Sequence, residues 1–287
     1  MKTGEKRHVG FPDGTFAPYL ITRLIMQNFI KYPRTPHLCG SRLQPGDAEA
    51  GQIDIATLSG GLQIWEEKID GANAAISFPD GCLMLQSRGH PLNGGARENQ
   101  FSLFKAWASC HEYQLRSILG QRYIMFGEWC YAKHTVFYDV LPHYFLEFDI
   151  YDREQKLFLS TKARHMLLRG SVVVSVPVLH EGKLMTERQI RNLLRSLLYK
   201  SGDWRKNLFH ASTTAGVPIE LAEQQTDMSL LAEGLYLKHE DERQVLARYK
   251  YVRADFLQTI LDSGSHWAER PLIANRLRDD VDIYGAG

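Results

Sequence analysis

The sequence predicts an α+β fold built on antiparallel sheets, because its many short strand-like runs, few long helices and irregular spacing do not fit a doubly wound parallel sheet. Residues 17–31, APYLITRLIMQNFIK, read as a first helix, and 32–61 carry Pro33, Pro36, Pro45 and several glycines, which makes them an extended, turning segment. Runs rich in β-branched and aromatic residues follow at 62–69 (LQIWEEKI), 73–78 (NAAISF), 82–88 (CLMLQSR), 123–129 (YIMFGEW) and 143–152 (HYFLEFDIYD). Further runs lie at 156–160, 171–179, 233–239 (EGLYLKH) and 244–252 (QVLARYKYV). The Asp80-Gly81 pair inside FPDGC marks a hairpin turn between the second and third runs. Helices fit 97–119, where Phe101, Phe104 and Ala108 recur at helical spacing, and 186–198, where Thr186 and Gln189 form a capping box ahead of Ile190, Leu193, Leu194 and Leu197.

Composition narrows the class of protein. With 44% hydrophobic and 23% charged residues among 287, the chain can build a substantial core, so neither a disordered nor a fibrous protein is expected. Lys+Arg 34 against Asp+Glu 33 gives a net charge of +1, which excludes bulk electrostatic adhesion to nucleic acid or anionic membrane. A polyanion would have to be held by a local cluster. Cys39, Cys82, Cys110 and Cys130 form no C-x-x-C pair, and no apolar run approaches a membrane span, so the expectation is a reduced, cytoplasmic protein. No G-x-G-x-x-G or Walker-type loop is present.

Chemistry concentrates at Glu67-Lys68-Ile69-Asp70-Gly71-Ala72-Asn73, where one strand-like run ends in a tight turn. A lysine at a strand end is held by backbone, and a reactive group needs such fixing. K-x-D-G alone arises by chance in about one chain of this length in twenty, and by itself it reads equally as a surface lysine before a hairpin. Further segments follow in order: Ser87-Arg88, Phe126-Gly127-Glu128-Trp129, Phe148-Asp149-Ile150, Glu233-Gly234-Leu235-Tyr236-Leu237-Lys238 and Arg248-Tyr249-Lys250. Strand alternation puts Arg248 and Lys250 on one face and Tyr249 and Tyr251 on the other.

This ordered series, over roughly residues 60–253, resembles the covalent nucleotidyltransferase superfamily of ATP-dependent ligases and capping enzymes, and within it the RNA ligase 2-like family. RTPHLCGSRLQPGD (34–47) and the stretch 127–152 are similar to a bacterial branch of RNA ligases. The resemblance implies an antiparallel-sheet adenylation core of the ATP-grasp-like DNA/RNA ligase type, with a short helical C-terminal tail. It implies an ATP-dependent RNA ligase that joins 5′-phosphate to 3′-hydroxyl ends through lysyl-AMP and RNA-adenylate, in RNA repair. ATP is the expected substrate and Mg²⁺ or Mn²⁺ the expected ion.

The same resemblance assigns roles. Lys68 would be the nucleophile. An ordinary lysine, with a pKa of about 10.4, is free amine to about one part in a thousand near neutral pH, a handicap of roughly 4 kcal/mol that neighbouring cations and the metal ion must relieve. Lys238, Arg248 and Lys250 join it as the catalytic set, and Arg88 adds fixed positive charge toward the phosphates. Arg248 stands where the family usually has lysine; a guanidinium stays charged and cannot serve as a proton donor, which moves any general-acid role to Lys250. Glu128 would accept a ribose hydroxyl and Phe148 would stack on adenine, with Glu67 and Asn73 as further nucleotide contacts. Glu233, supported by Asp70, would hold the metal. Arg34, His37 and Arg42 form a basic loop for RNA, and His134 is a weaker candidate near the phosphates.

Residues 1–253 would form the adenylyltransferase domain, with an N-terminal extension and a helical insert at about 180–225, and 254–287 the tail. The roughly 35 residues after Lys250 are too few for the OB-fold barrel that DNA ligases and GTP-using capping enzymes add, which leaves those as the enzymatic alternatives. A non-catalytic RNA- or nucleotide-binding module on the same fold is the alternative of another class. RNA ends, an end-processing kinase or phosphatase as partner, no membrane and a monomeric state complete the expectations.

Overall fold

The computed structural model describes residues 29–43, 51–58, 60–184, 186–194, 198–262 and 270–285; most of the helix expected at 17–31 lies outside them. Among the described residues the strands are His37–Leu38 (β1), Gln52–Ile53 (β2), Leu62–Lys68 (β3), Ala72–Ser77 (β4), Met84–Ser87 (β5), Tyr123–Trp129 (β6), Phe145–Asp152 (β7), Leu157–Phe158 (β8), Val174–Ser175 (β9), Val178–Glu181 (β10), Gly234–Glu240 (β11) and Val245–Val252 (β12). The helices are Ser102–Cys110 (α1), Glu112–Leu119 (α2), Thr161–Leu167 (α3), Glu187–Leu193 (α4), Trp204–Thr214 (α5), Ile219–Gln224 (α6) and Ala254–Asp262 (α7). None is long and apolar enough to cross a membrane.

Two sheets carry the fold. One runs β10-β3-β11-β12-β1-β2 and the other β5-β4-β6-β7-β8, with β9 beside β7. Neighbours are antiparallel except β1 with β12 and β2, and β9 with β7, so the expected α+β architecture on antiparallel sheets is the one observed. Asp80 and Gly81 both adopt positive φ (50° and 77°) in the β4–β5 connection, as a tight Asp-Gly hairpin requires.

Two helical expectations changed in detail. The stretch 97–119 is a 3₁₀ turn over Ala96–Phe101 followed by α1 and α2, broken at His111, whose ring Nε2 lies 2.8 Å from the carbonyl oxygen of Ile283. The capping box at Thr186 is present and starts α4. From residue 270 the chain pairs through Ala274 and Leu277 with Ala132 and Leu141; among the described residues the tail is helical only over Ala254–Asp262.

The faces of the sheets divide the core. Phe104 and Trp107 of α1 pack with Trp129 and Phe145 on one side of the second sheet. Trp65, Leu235, Leu237 and Tyr251 form a cluster on the outer face of the first. Between the sheets an apolar cluster that includes Phe126, Phe148 and Val252 lies beside a set of buried ionic contacts. Arg164 of α3, wholly buried, forms a fork onto both oxygens of Glu147 at 2.8 Å and reaches Glu66 at 2.5 Å. Lys238 binds Glu66 at 2.7 Å and Asp149 at 3.3 Å. Arg248 meets Asp149 at 2.8 Å, and the Tyr32 hydroxyl donates to the same carboxylate at 2.5 Å. Three acids and three bases thus tie strands β3, β11 and β12 to β7.

Burial alone would raise the Asp149 carboxyl, but Lys238, Arg248, Arg164 and the Tyr32 hydroxyl hold it down at about 2. Against an unfolded value of about 3.9, its contribution to stability is complete above that value and is lost as pH falls from there toward 2. Removing one partner of a buried pair strands the others, so Asp149→Asn should cost about 3–5 kcal/mol in urea unfolding at pH 7. It should also flatten the acid limb below pH 4, as followed by tryptophan fluorescence. A variant as stable as wild type would show that these charges do not tie the sheets together.

Candidate active site

Antiparallel pairing explains why two distant segments meet. Lys68 ends β3 directly opposite Gly234, which sets Glu233 beside it, and the lysine Nζ lies 2.6 Å from Glu233 Oε1. Gly234 permits this join, since a Cβ there would lie 2.0 Å from the Tyr251 carbonyl oxygen. Gly71 likewise lets the lysine turn abut β6, where a Cβ would sit 2.7 Å from the Trp129 carbonyl oxygen. Asn73 and Glu128 are register partners on β4 and β6.

A cleft of about 520 Å³ opens above Lys68, between the sheets. Asn73, Arg88, Glu128, Phe148, Glu233 and Lys250 line it, as do His37 and Arg42 from the Pro-rich segment. Eight of the sequence-derived residues therefore converge with Lys68. A larger hollow of about 720 Å³ beside α3 contains none of them.

Six candidates lie elsewhere. Strand alternation turns the Glu67 side chain to the opposite face of β3 from Lys68, where burial pushes its carboxyl up to about 8. Lys238 and Arg248 share the inner face with Lys68 but lie beneath the cleft, committed to Glu66 and Asp149. Lys238 also donates to the Phe148 carbonyl oxygen, and the Arg248 guanidinium lies over the Phe158 ring, 3.7 Å from its centroid. The carboxylate of Asp70 faces a loop, its Oδ2 accepting from the Thr135 and Val136 amides at 2.7 Å each. Arg34 is exposed outside the cleft lining. His134 is buried behind the turn, its Nδ1 4.0 Å from Asp70 Oδ1.

Electrostatics around Lys68 are set by crowded carboxylates. Burial opposes its ammonium, yet Glu233, Tyr236 and Glu128 hold its pKa above the ordinary lysine value. Burial, with the neighbouring acids, raises Glu128 to about 8 and Glu233 to about 7, while Lys68 pulls both down. Among the described residues no three His, Cys, Asp or Glu side chains are grouped to hold a metal by themselves. Glu233 nevertheless presents a buried oxygen, Oε2, with no hydrogen-bond partner. A hard divalent ion needs only one or two carboxylates when phosphate oxygens and water complete its shell, so the donors present fit such an ion.

The structure adds two residues that the motifs did not single out. Tyr236 faces Phe148 across the cleft with ring centroids 6.4 Å apart and planes within 23°, close to the roughly 7 Å that two stacking contacts to an intervening flat base require. Its place two residues after Gly234 and two before Lys238 puts it on the inner face, a signal available from alternation. Tyr32 packs edge-on against Phe148 and reaches Asp149. Phe148 itself is the extra residue of a β-bulge, because Phe126 pairs with Asp149 and Gly127 with Glu147.

A sequence profile described as RNA ligase matches residues 63–252, and the chain belongs to the RNA ligase family. Naegleria gruberi RNA ligase with PPi superimposes with a TM-score of 0.50 at 16% identity, over 82% of this chain and 59% of that one. A mutant of that ligase with ATP and Mn gives 0.46 at 18% identity, over 72% and 54%. The chain thus spans little more than half the length of these solved structures. No curated protein matches it.

Glu233→Gln removes the charge that stabilises the Lys68 ammonium. Lys68 acylation by an amine reagent at pH 9, read by peptide mass spectrometry, is expected to rise several-fold over wild type; equal labelling would mean that the ion pair does not control this amine.

Proposed function

We propose that the chain is an ATP-dependent RNA ligase, acting through residues 1–253 as an adenylyltransferase domain. The observation that carries this reading is Lys68 at the floor of a cleft, paired with Glu233 and adjacent to a parallel aromatic pair, its Nζ 5.8 Å from the Tyr236 ring centroid. Adenine would lie between Phe148 and Tyr236, the ribose near Glu128 and Asn73, and the phosphates toward Arg88, Lys250 and Arg42. Lys68 Nζ would attack the α-phosphorus, forming a P–N bond as pyrophosphate leaves. The AMP then passes to an RNA 5′-phosphate, freeing Lys68, and a 3′-hydroxyl attacks that activated phosphate with loss of AMP.

Positioning and charge supply the catalysis. Lys68 must surrender its proton first. Arg88 and Lys250 contribute fixed positive charge that favours the free amine. Glu233, with Glu128, would hold Mg²⁺ or Mn²⁺, which when bound neutralises phosphate charge and loosens the Glu233–Lys68 pair. Lys238 and Arg248 support the adenine floor from below through Phe148 and Asp149. Arg42, with Arg34 farther out, would meet the RNA, while His37, buried with its Nδ1 2.6 Å from the Ser41 hydroxyl, would hold that segment in place, and RNA repair is the setting this chemistry suits.

Incubation with labelled ATP and Mg²⁺ should leave an acid-labile adduct on wild type and none on Lys68→Ala. Absence of the adduct on wild type would falsify the reading in favour of a binding module, and an adduct from GTP alone would favour a capping enzyme. Sealing of 5′-phosphorylated DNA but not RNA would move the substrate to DNA. Tyr236→Ala should weaken ATP binding by about 1–3 kcal/mol, the usual worth of an aromatic face against a base, measured by calorimetry; unchanged affinity would remove Tyr236 from the adenine site.

A further inference from the structure

The connection from β6 to β7, residues 130–144, is nearly all buried, with 132–139 shut away from solvent. Loops normally stay at the surface because each buried N–H and C=O needs a partner. One set of partners belongs to the lysine turn. Asp70 accepts from the Thr135 and Val136 amides, and the Tyr138 hydroxyl accepts from the Asp70 amide at 2.9 Å. Loop and turn therefore clasp each other directly behind Lys68.

The opposite side of the loop is satisfied from the far end of the chain. Asn275, 1% exposed, divides its side-chain amide between the loop's two limbs, with Nδ2 donating to the Cys130 carbonyl at 2.7 Å and Oδ1 accepting from the Tyr138 amide at 3.0 Å. Its backbone continues the bracing, since its N–H donates to Tyr131 and its carbonyl accepts from the Tyr144 hydroxyl. Arg276 N–H donates to the Tyr138 carbonyl, and Lys133 N–H to the carbonyl of Ile273. A carboxylate lacks the donor for Cys130, and an apolar side chain lacks both groups.

We infer that Asn275 is a positioning residue for Lys68, acting through Tyr138 and Asp70, so that the C-terminal segment 270–278 is part of the active-site framework although it lies outside the family-matched residues 63–252. The inference rests on the proposed role of Lys68.

Full-length Asn275→Ala, Tyr138→Phe and the double variant test it by single-turnover formation of lysyl-AMP. A displaced nucleophile loses rate at saturating substrate, so Asn275→Ala should be about ten- to a hundredfold slower, with KM for ATP within about threefold because the Phe148–Tyr236 pair is untouched. Tyr138→Phe deletes only the hydroxyl that meets the Asp70 amide and leaves the Asn275 contacts in place, which guards against a variant that fails to fold. The double variant should be no slower than the slower single one. Amide exchange at Thr135 and Val136 should accelerate in Asn275→Ala by more than the accompanying loss of global stability accounts for. Unchanged adenylation in both folded single variants, losses that multiply in the double variant, or a rise in KM matching the fall in rate would each overturn the inference. If wild type forms no lysyl-AMP, the proposed function fails. Exchange then decides the clasp alone, and unaltered protection of Thr135 and Val136 in Asn275→Ala overturns it.

Discussion

Glu66, Glu147 and Asp149 meet Arg164, Lys238 and Arg248 where the two sheets face each other, and six charges can be buried there only if every one finds its partner in one arrangement. That demand fixes more than stability. It aligns β7 against β3, β11 and β12, and the bulge at Phe148 falls between Glu147 and Asp149, both anchored. With its neighbours held, and its carbonyl oxygen accepting from Lys238, Phe148 has little freedom to move relative to Tyr236. The slot between the Phe148 and Tyr236 rings is thus built from beneath by ion pairs.

Arg248 is intelligible in the same terms. Its guanidinium combines a charge for Asp149 with a flat face for Phe158, a pairing that a compact ammonium on a flexible stem would meet less well. Lys250, two residues on, shares that strand face and lines the cleft. One basic pair thus divides its labour, a cation in the foundation and a cation at the mouth.

Local patterns in the sequence carried much of this architecture. Runs rich in β-branched and aromatic residues located the strands, the Asp80-Gly81 pair its hairpin, and Thr186 with Gln189 the start of α4. Eight of the cleft residues, with Lys68, were recognisable because their motifs are short and contiguous. What stayed hidden depends on contacts far apart in the chain. Lys68 and Glu233 are neighbours only through β3–β11 pairing, and Lys238 and Arg248 read as phosphate cations until the buried acids beneath them are placed. The resemblance placed Glu67 with the nucleotide, although a strand sends its side chain to the opposite face from Lys68. The helix expected at 97–119 breaks at His111, whose φ and ψ of −98° and 14° leave the helical region, and the course of the tail is set by pairing with a buried loop distant in the chain.

A net charge of +1 acquires a different meaning once the charges have places. The six at the seam cancel and contribute nothing to long-range attraction. Lys68 is itself neutralised by Glu233 before any nucleotide arrives. At the rim, exposed Arg42 and Arg88 line the opening. An incoming triphosphate would meet cations first and acids last, so its negative charge settles outward while the base enters between the rings. The acids at the floor hold the lysine protonated; under the proposed function a divalent ion taken up by Glu233 would draw that carboxylate away and favour the free amine, which would couple its reactivity to occupation of the cleft.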